Sequence, residues 1–327
     1  MVLIEAKAGT LSDSARRASP ARLERGLRDL IVKAHEQLNR AERCLVGGRA
    51  RKITDEQGRP VALKLDKKMR VLRVAVCLED LSPVAPSVWQ MQDAGLLPAD
   101  DRAPWVVGIH ELELICSLVE RPAQLVHYIL RRLRTYRQKI WAMDELDFWM
   151  HYLTRGLWWE DAEISARRVD LLSHTDALDQ WAYGERGLRR PAKPPRQKLD
   201  NATRNLLDAI EATAAPGRVE AQLMLLEADG TARKRISKAL GQLARKSSRD
   251  GEVHDMTHIF GDDMAITVQS VVEGTLAENN DRLASHGRAK CEQHGLRRWA
   301  GLSTRVGATG KLAGMVLLAD LSRIEDV

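Results

Sequence analysis

Between Ala21 and Val46 the apolar residues Leu23, Leu27, Leu30, Ile31, Ala34, Leu38, Ala41 and Leu45 fall on one stripe of a 3.6-residue repeat. Ser19-Pro20 suits the start of such a helix and Gly47-Gly48 its end. Before it, Val2-Leu3-Ile4-Glu5-Ala6-Lys7-Ala8-Gly9 reads as a short strand closed by glycine. After it comes a polar, basic stretch over 49–70, with a turn at Glu56 to Pro60. Val71 to Leu78 then reads as a buried strand. Strand, long helix, loop or hairpin, strand is the tail of an α/β unit, and the rest of the chain is read around it.

The 327 residues exceed the usual ~100–200 of one domain, so two or three domains are expected. Apolar residues at 44% and charged residues at 29% exclude a wholly disordered chain, a fibre and a coiled-coil rod. No run approaches the roughly 18 apolar residues of a membrane helix, and the longest, Val71–Leu78 and Gly314–Ala319, are strand-sized. Met1 leads directly into Val-Leu-Ile with no basic n-region, so no signal peptide is read. Cys44, Cys77, Cys116 and Cys291 are far apart and form no CxxC pair. Reduced thiols and a cytoplasmic location are expected, with no membrane partner.

The net charge of +6 is unevenly placed. Residues 1–73 carry 18 Lys/Arg against 9 Asp/Glu, and the remainder 33 against 36. A basic opening on a near-neutral remainder points to a polyanion partner. From Ser82 to about Arg189 the pattern is mostly helical, with helices at Glu111–Val119, Pro122–Arg137 and Asp144–Leu157. Seven of the eight tryptophans fall there, which predicts an aromatic core. Residues 184–200, rich in Pro and Arg, read as a linker. Beyond it Val219–Leu226 and Ala265–Val272 read as strands, and Asn201–Thr213, Thr231–Ser247 and Thr275–Leu283 as helices. The expected domains are thus 1–80, a helical, Trp-rich 81–183, the linker, and an α/β or α+β region over 201–327.

Chemistry concentrates at Glu5-Ala6-Lys7. Side chains at i and i+2 of a strand share a face, so Glu5 and Lys7 project together. A carboxylate there suits a divalent cation, and the ammonium beside it suits an attacking water, as metal-assisted phosphodiester hydrolysis requires. Three apolar residues, Glu-x-Lys-x-Gly, a short polar loop and a long helix bearing Gln37 resemble the PD-(D/E)xK nuclease superfamily. The closer likeness is to its nuclease-related (NERD-like) bacterial branch. Pro104-Trp105-Val106-Val107, Leu112-Glu113-Leu114-Ile115, His127 to Arg132 and Asp144 to Asp147 look like the helical extension of such proteins. The resemblance covers about residues 1–160.

The resemblance implies a partial restriction-endonuclease-like fold over 1–80, Mg²⁺ as cofactor and DNA as substrate. Glu5 would be the metal ligand, Lys7 would position water and stabilise charge, and Gln37 would organise the site. Arg22, Arg25, Lys33, Arg40, Lys67 and Lys68 would contact the phosphate backbone. The middle or C-terminal region would meet substrate or a protein partner. One departure stands out: the family's Asp lies upstream, and none of the four residues before Glu5 is a carboxylate. A reading frame opened at an internal Met is the favoured account. The competing one is a non-catalytic remnant that binds nucleic acid or protein.

Three further patterns are set aside. Asp144 and Asp147, at i and i+3, read as helix capping rather than a metal pair. His254-Asp255-Met256-Thr257-His258 spaces two His like HExxH but lacks its Glu, and reads as a polar loop. Gly307 to Leu312 lacks two of the residues a Walker loop requires.

Overall fold

The computed structural model describes residues 2–7, 19–47, 57, 71–78, 88–100, 102–140, 142, 144–158, 178–181, 185, 187, 193–213, 217–260, 263–271, 276–306 and 312–320. It is mixed α/β with two sheets, of three and four strands. The chain divides into two compact units. One comprises Met1–Val119 with Tyr128–Lys198, the other Glu120–His127 with Leu199–Val327. The division after Lys198 falls within the Pro/Arg-rich stretch, whose residues 193–200 are neither helix nor strand.

In the first unit β1 (Val2–Lys7), β2 (Leu72–Cys77) and β3 (Trp105–Gly108) form a parallel sheet in that order. Parallel strands need a crossover, and α1 (Pro20–Val46) supplies the one from β1 to β2. The buried part of its stripe, Leu27, Ile31, Ala34 and Leu38, packs with Leu3 of β1, Ala75 and Cys77 of β2 and Val106 of β3. α2 (Val88–Asp93) adds Val88 and Met91 to the same core.

The opposite face of β3 carries Trp105, whose ring meets Tyr128 edge-on. Tyr128 in turn meets Trp149 and Tyr152. These belong to α4 (Pro122–Arg137) and α5 (Glu145–Arg155), which follow α3 (Ile109–Leu118). Leu133 and Tyr136 of α4 join the α1 side while Tyr128 joins the other, so α4 covers the β3 edge. Asp144 caps α5: its side chain accepts from the Asp147 N–H at 2.9 Å, and the Asp147 side chain accepts in return, a complete capping box.

β3 corrects the helical reading of this region. Trp105-Val106-Val107, taken for part of a helical extension, is a four-residue strand with every side chain buried. Covered on both faces, it has no polar alternation to reveal it.

The second unit opens with three helices, α6 (Asn201–Glu211), α7 (Arg218–Glu227) and α8 (Gly230–Asp250). The mixed sheet follows in the order β4-β5-β6-β7: β4 (His254–Phe260), β5 (Met264–Val271), β6 (Arg298–Val306) and β7 (Leu312–Asp320). β4 and β5 form an antiparallel hairpin, α9 (Leu276–His294) crosses to parallel β6, and β7 returns antiparallel.

Ile266, Val268, Ala300 and Leu302 pack on α6, α7 and α8, and Ala265 and Trp299 on α9. A Cβ on Gly287 of α9 would stand 2.0 Å from the Trp299 ring, so only glycine lets helix and sheet meet there. Two sequence readings are corrected. Val219–Leu226 is helix α7, not a strand. His254–His258 is strand β4, not a loop.

Candidate functional site

On β1 the two-residue alternation sets Leu3, Glu5 and Lys7 on one face. Leu3 packs into the α1 core, so Glu5 and Lys7 face the α1 side of the sheet. The Lys7 Nζ lies 3.0 Å from a Glu5 carboxylate oxygen, and both side chains are largely covered, with 21% and 30% exposed. Glu5 and Lys7 therefore stand together on a strand, as the spacing predicts. Register puts them beside Ala75 and Cys77, past the middle of β2.

Helix geometry locates Gln37. The flank of α1 bearing His35 and Glu42 faces β2: Glu42 is ion-paired to Arg73, the second residue of that strand. At about 100° per residue, Gln37 sits roughly 140° around the helix from Glu42, on the flank toward β1. Its Oε1 is buried and has no hydrogen-bond partner among the described residues. Arg22, Lys33 and Arg40 fall within about 60° of Gln37 on the same flank, and Arg25 is further round. All four cations are exposed. Lys67 and Lys68 lie outside the described residues.

A magnesium site needs hard oxygen ligands, one or two carboxylates with waters and phosphate oxygens. Glu5 supplies one carboxylate, already paired to Lys7. Among the described residues only Asp250, Glu252 and His254 bring three metal-ligating atoms within 4.8 Å of one another, so Glu5 belongs to no such grouping. The donor set at Glu5 does not fit a complete metal site.

Asp250, Glu252 and His254 sit where α8 passes into β4. The His254 Nε2 is 2.9 and 3.0 Å from the two Asp250 oxygens. His258 cannot join them. Four residues along a strand span roughly 13 Å, too far for two His to share an ion. Its ring is half-buried, and burial, then Arg235, lowers its pKa below the usual imidazole value.

Two polar networks leave no mark in the sequence. In the first unit Glu145, 2% exposed, accepts from Trp105 Nε1 at 2.8 Å, from the Tyr128 hydroxyl and from Arg132 Nε at 3.0 and 3.1 Å. The Arg132 guanidinium lies 3.6 Å from the Phe148 ring centroid. Burial pushes the Glu145 carboxyl up against the opposing pull of Arg132, and burial pushes the Tyr136 hydroxyl up to about 12.

In the second unit Trp299 Nε1 donates to Thr267 Oγ1 at 2.8 Å. Thr267 and Thr257 share a hydroxyl bond of 2.9 Å, and Thr257 is 3.1 Å from His286 Nε2. Asp255 stands 3.6 Å from His286 Nδ1. Each network joins residues of at least three elements, so no local spacing encodes it.

No family model, curated protein or solved structure matches this chain. Among the described residues no helix is long and apolar enough to cross a membrane.

Proposed function

We propose that the first unit carries the phosphodiester-cleaving half-site of a PD-(D/E)xK-type nuclease acting on DNA. The observation that carries this reading is the Glu5–Lys7 pair, largely covered on the α1 face of a parallel sheet. Its support is the flank of α1 toward β1, which holds Gln37, its buried Oε1 without a partner among the described residues, beside a row of exposed cations. A strand–helix–strand crossover with Glu and Lys on its first strand is what the resemblance leads one to expect.

In this reading Lys7 holds the water-bearing side of the scissile phosphate and neutralises charge that develops there. Gln37 supplies an acceptor to orient a donor in the site. Arg22, Lys33 and Arg40 draw the phosphate backbone along the helix. Mg²⁺ would supply the Lewis acid, but the described carboxylates around Glu5 are too few to hold it. The reading places the missing Asp on residues upstream.

Plasmid nicking with Mg²⁺ and with EDTA is the test. The 327-residue chain should cleave little. A chain with in-frame upstream residues that bring an Asp beside β1 should cleave. The competing reading, a non-catalytic binder of nucleic acid, rests on the same exposed cations, and inactivity of a well-folded extended chain would favour it.

A further inference from the structure

The other flank of α1 carries a second feature, independent of the nuclease reading. A cleft of about 500 Å³ opens there, lined by His35, Asn39, Glu42, Arg43, Arg73, Pro98 and Arg102. Among the described residues two of its donors are buried and find no acceptor: Arg73 Nε and His35 Nδ1. Arg73 is only 4% exposed and is the second residue of β2. Its Nη2 is satisfied by Glu42, which leaves Nε–H unmatched. The Asn39 amide stands 2.9 Å from His35 Nε2. With Asn39 donating, the neutral ring keeps its proton on Nδ1, so that nitrogen is also a donor without an acceptor.

Two buried, unanswered N–H groups in one cleft call for an acceptor oxygen, since each costs about 1–3 kcal/mol if left unmade. The charges favour an anionic one. Arg43, Arg73 and Arg102 bring three positive charges to the lining, against the single carboxylate of Glu42. Asp100 binds Arg102 at 2.6 Å without lining the cleft. The negative end of α1 opposes an anion, but a helix terminus counts for about half a charge and acts over its last turn. Burial, then the Arg73 charge, holds the His35 pKa below 6.5, which keeps its ring neutral at pH 7.

We propose that this cleft seats a phosphate group, with Arg73 Nε–H and His35 Nδ1–H donating to its oxygens and Arg43 and Arg102 closing over it. Guanidinium groups suit the tetrahedral oxyanion through their planar fork of donors. The cleft is open enough for the phosphate to be free or part of a chain. It is distinct from the Glu5–Lys7 pair. Arg73 lies level with Leu3, two and four residues before the positions of Glu5 and Lys7, and across the helix from Gln37.

The test titrates inorganic phosphate into the full chain at constant ionic strength, following the His35 imidazole by NMR and the melting temperature. Phosphate should move the His35 resonances and raise the melting temperature. The Arg43→Ser/Arg102→Ser double variant, altered only at exposed rim positions, should bind about tenfold or more weakly. Arg73→Lys should lose the response while keeping the charge. Glu5→Gln should keep it, so failure of the nuclease reading leaves this site standing. A short DNA duplex that displaces phosphate identifies the backbone as the source. One that does not identifies a small phosphate. A wild-type chain whose His35 is unmoved at millimolar phosphate, or a double variant that responds as wild type does, overturns the proposal.

Discussion

Glu145 is the residue on which the first unit is most exposed to failure. It is a buried carboxylate held, among the described residues, by Trp105, Tyr128 and Arg132. Glu145→Gln leaves the Arg132 charge buried without its partner, at a cost of about 3–5 kcal/mol. Denaturant unfolding should show that loss, and a change under 1 kcal/mol would contradict this account of the core. His35 gives a pH signature. Its folded pKa lies below 6.5, so the unfolded chain binds the proton more readily. Stability from this group is full above about 6.5 and falls as pH drops below that value through the folded pKa. His35→Gln should flatten that part of the acid decline in melting temperature, and an unchanged pH profile would place the ring elsewhere.

At the scale of elements, the contact of α9 with β6 depends on one missing methyl. Gly287→Ala sets a Cβ 2.0 Å from the Trp299 indole, and overpacking of that kind costs about 1–3 kcal/mol. Thermal melts should register it, and an unshifted midpoint would show that helix and sheet part freely. The same elements mark what a sequence can disclose. α1 is legible because 27 residues carry one stripe between Pro and Gly. The Glu5–Lys7 pair is legible because a two-residue period fixes a face without reference to the rest of the fold. α7 is misread because Val219, Ala221 and Leu223 alternate with Glu220 and Gln222 like a strand. In the fold Gln222 and Glu227 are buried along with the apolar residues, which erases the helical stripe. The Arg73–His35 cleft and the Thr257–His286 chain are invisible in the sequence, since folding alone brings their residues together.

For the whole molecule, charge and site bear on one another. The surplus of Lys/Arg over Asp/Glu lies in residues 1–73, and of its exposed members on α1, Arg22, Lys33 and Arg40 run beside Gln37. If Arg22, Arg25, Lys33 and Arg40 each meet a phosphate, log affinity for duplex DNA should fall with log salt at a slope of about −3 to −4. Neutralising Lys33 and Arg40 should reduce that slope by about two. A salt-independent affinity would make the basic flank a solubility feature. The central claim is that Glu5 and Lys7 belong to a nuclease site, and metal-dependent nicking of plasmid DNA tests it most directly. An upstream-extended chain should nick with Mg²⁺ and stop with EDTA. Glu5→Ala should abolish cleavage along with metal affinity. Lys7→Ala should retain the metal but lose roughly a hundredfold or more in rate, as removal of a single preorganised electrostatic group does. EDTA-sensitive cleavage that survives both substitutions would contradict the account, as would a folded, extended chain inactive on single- and double-stranded DNA.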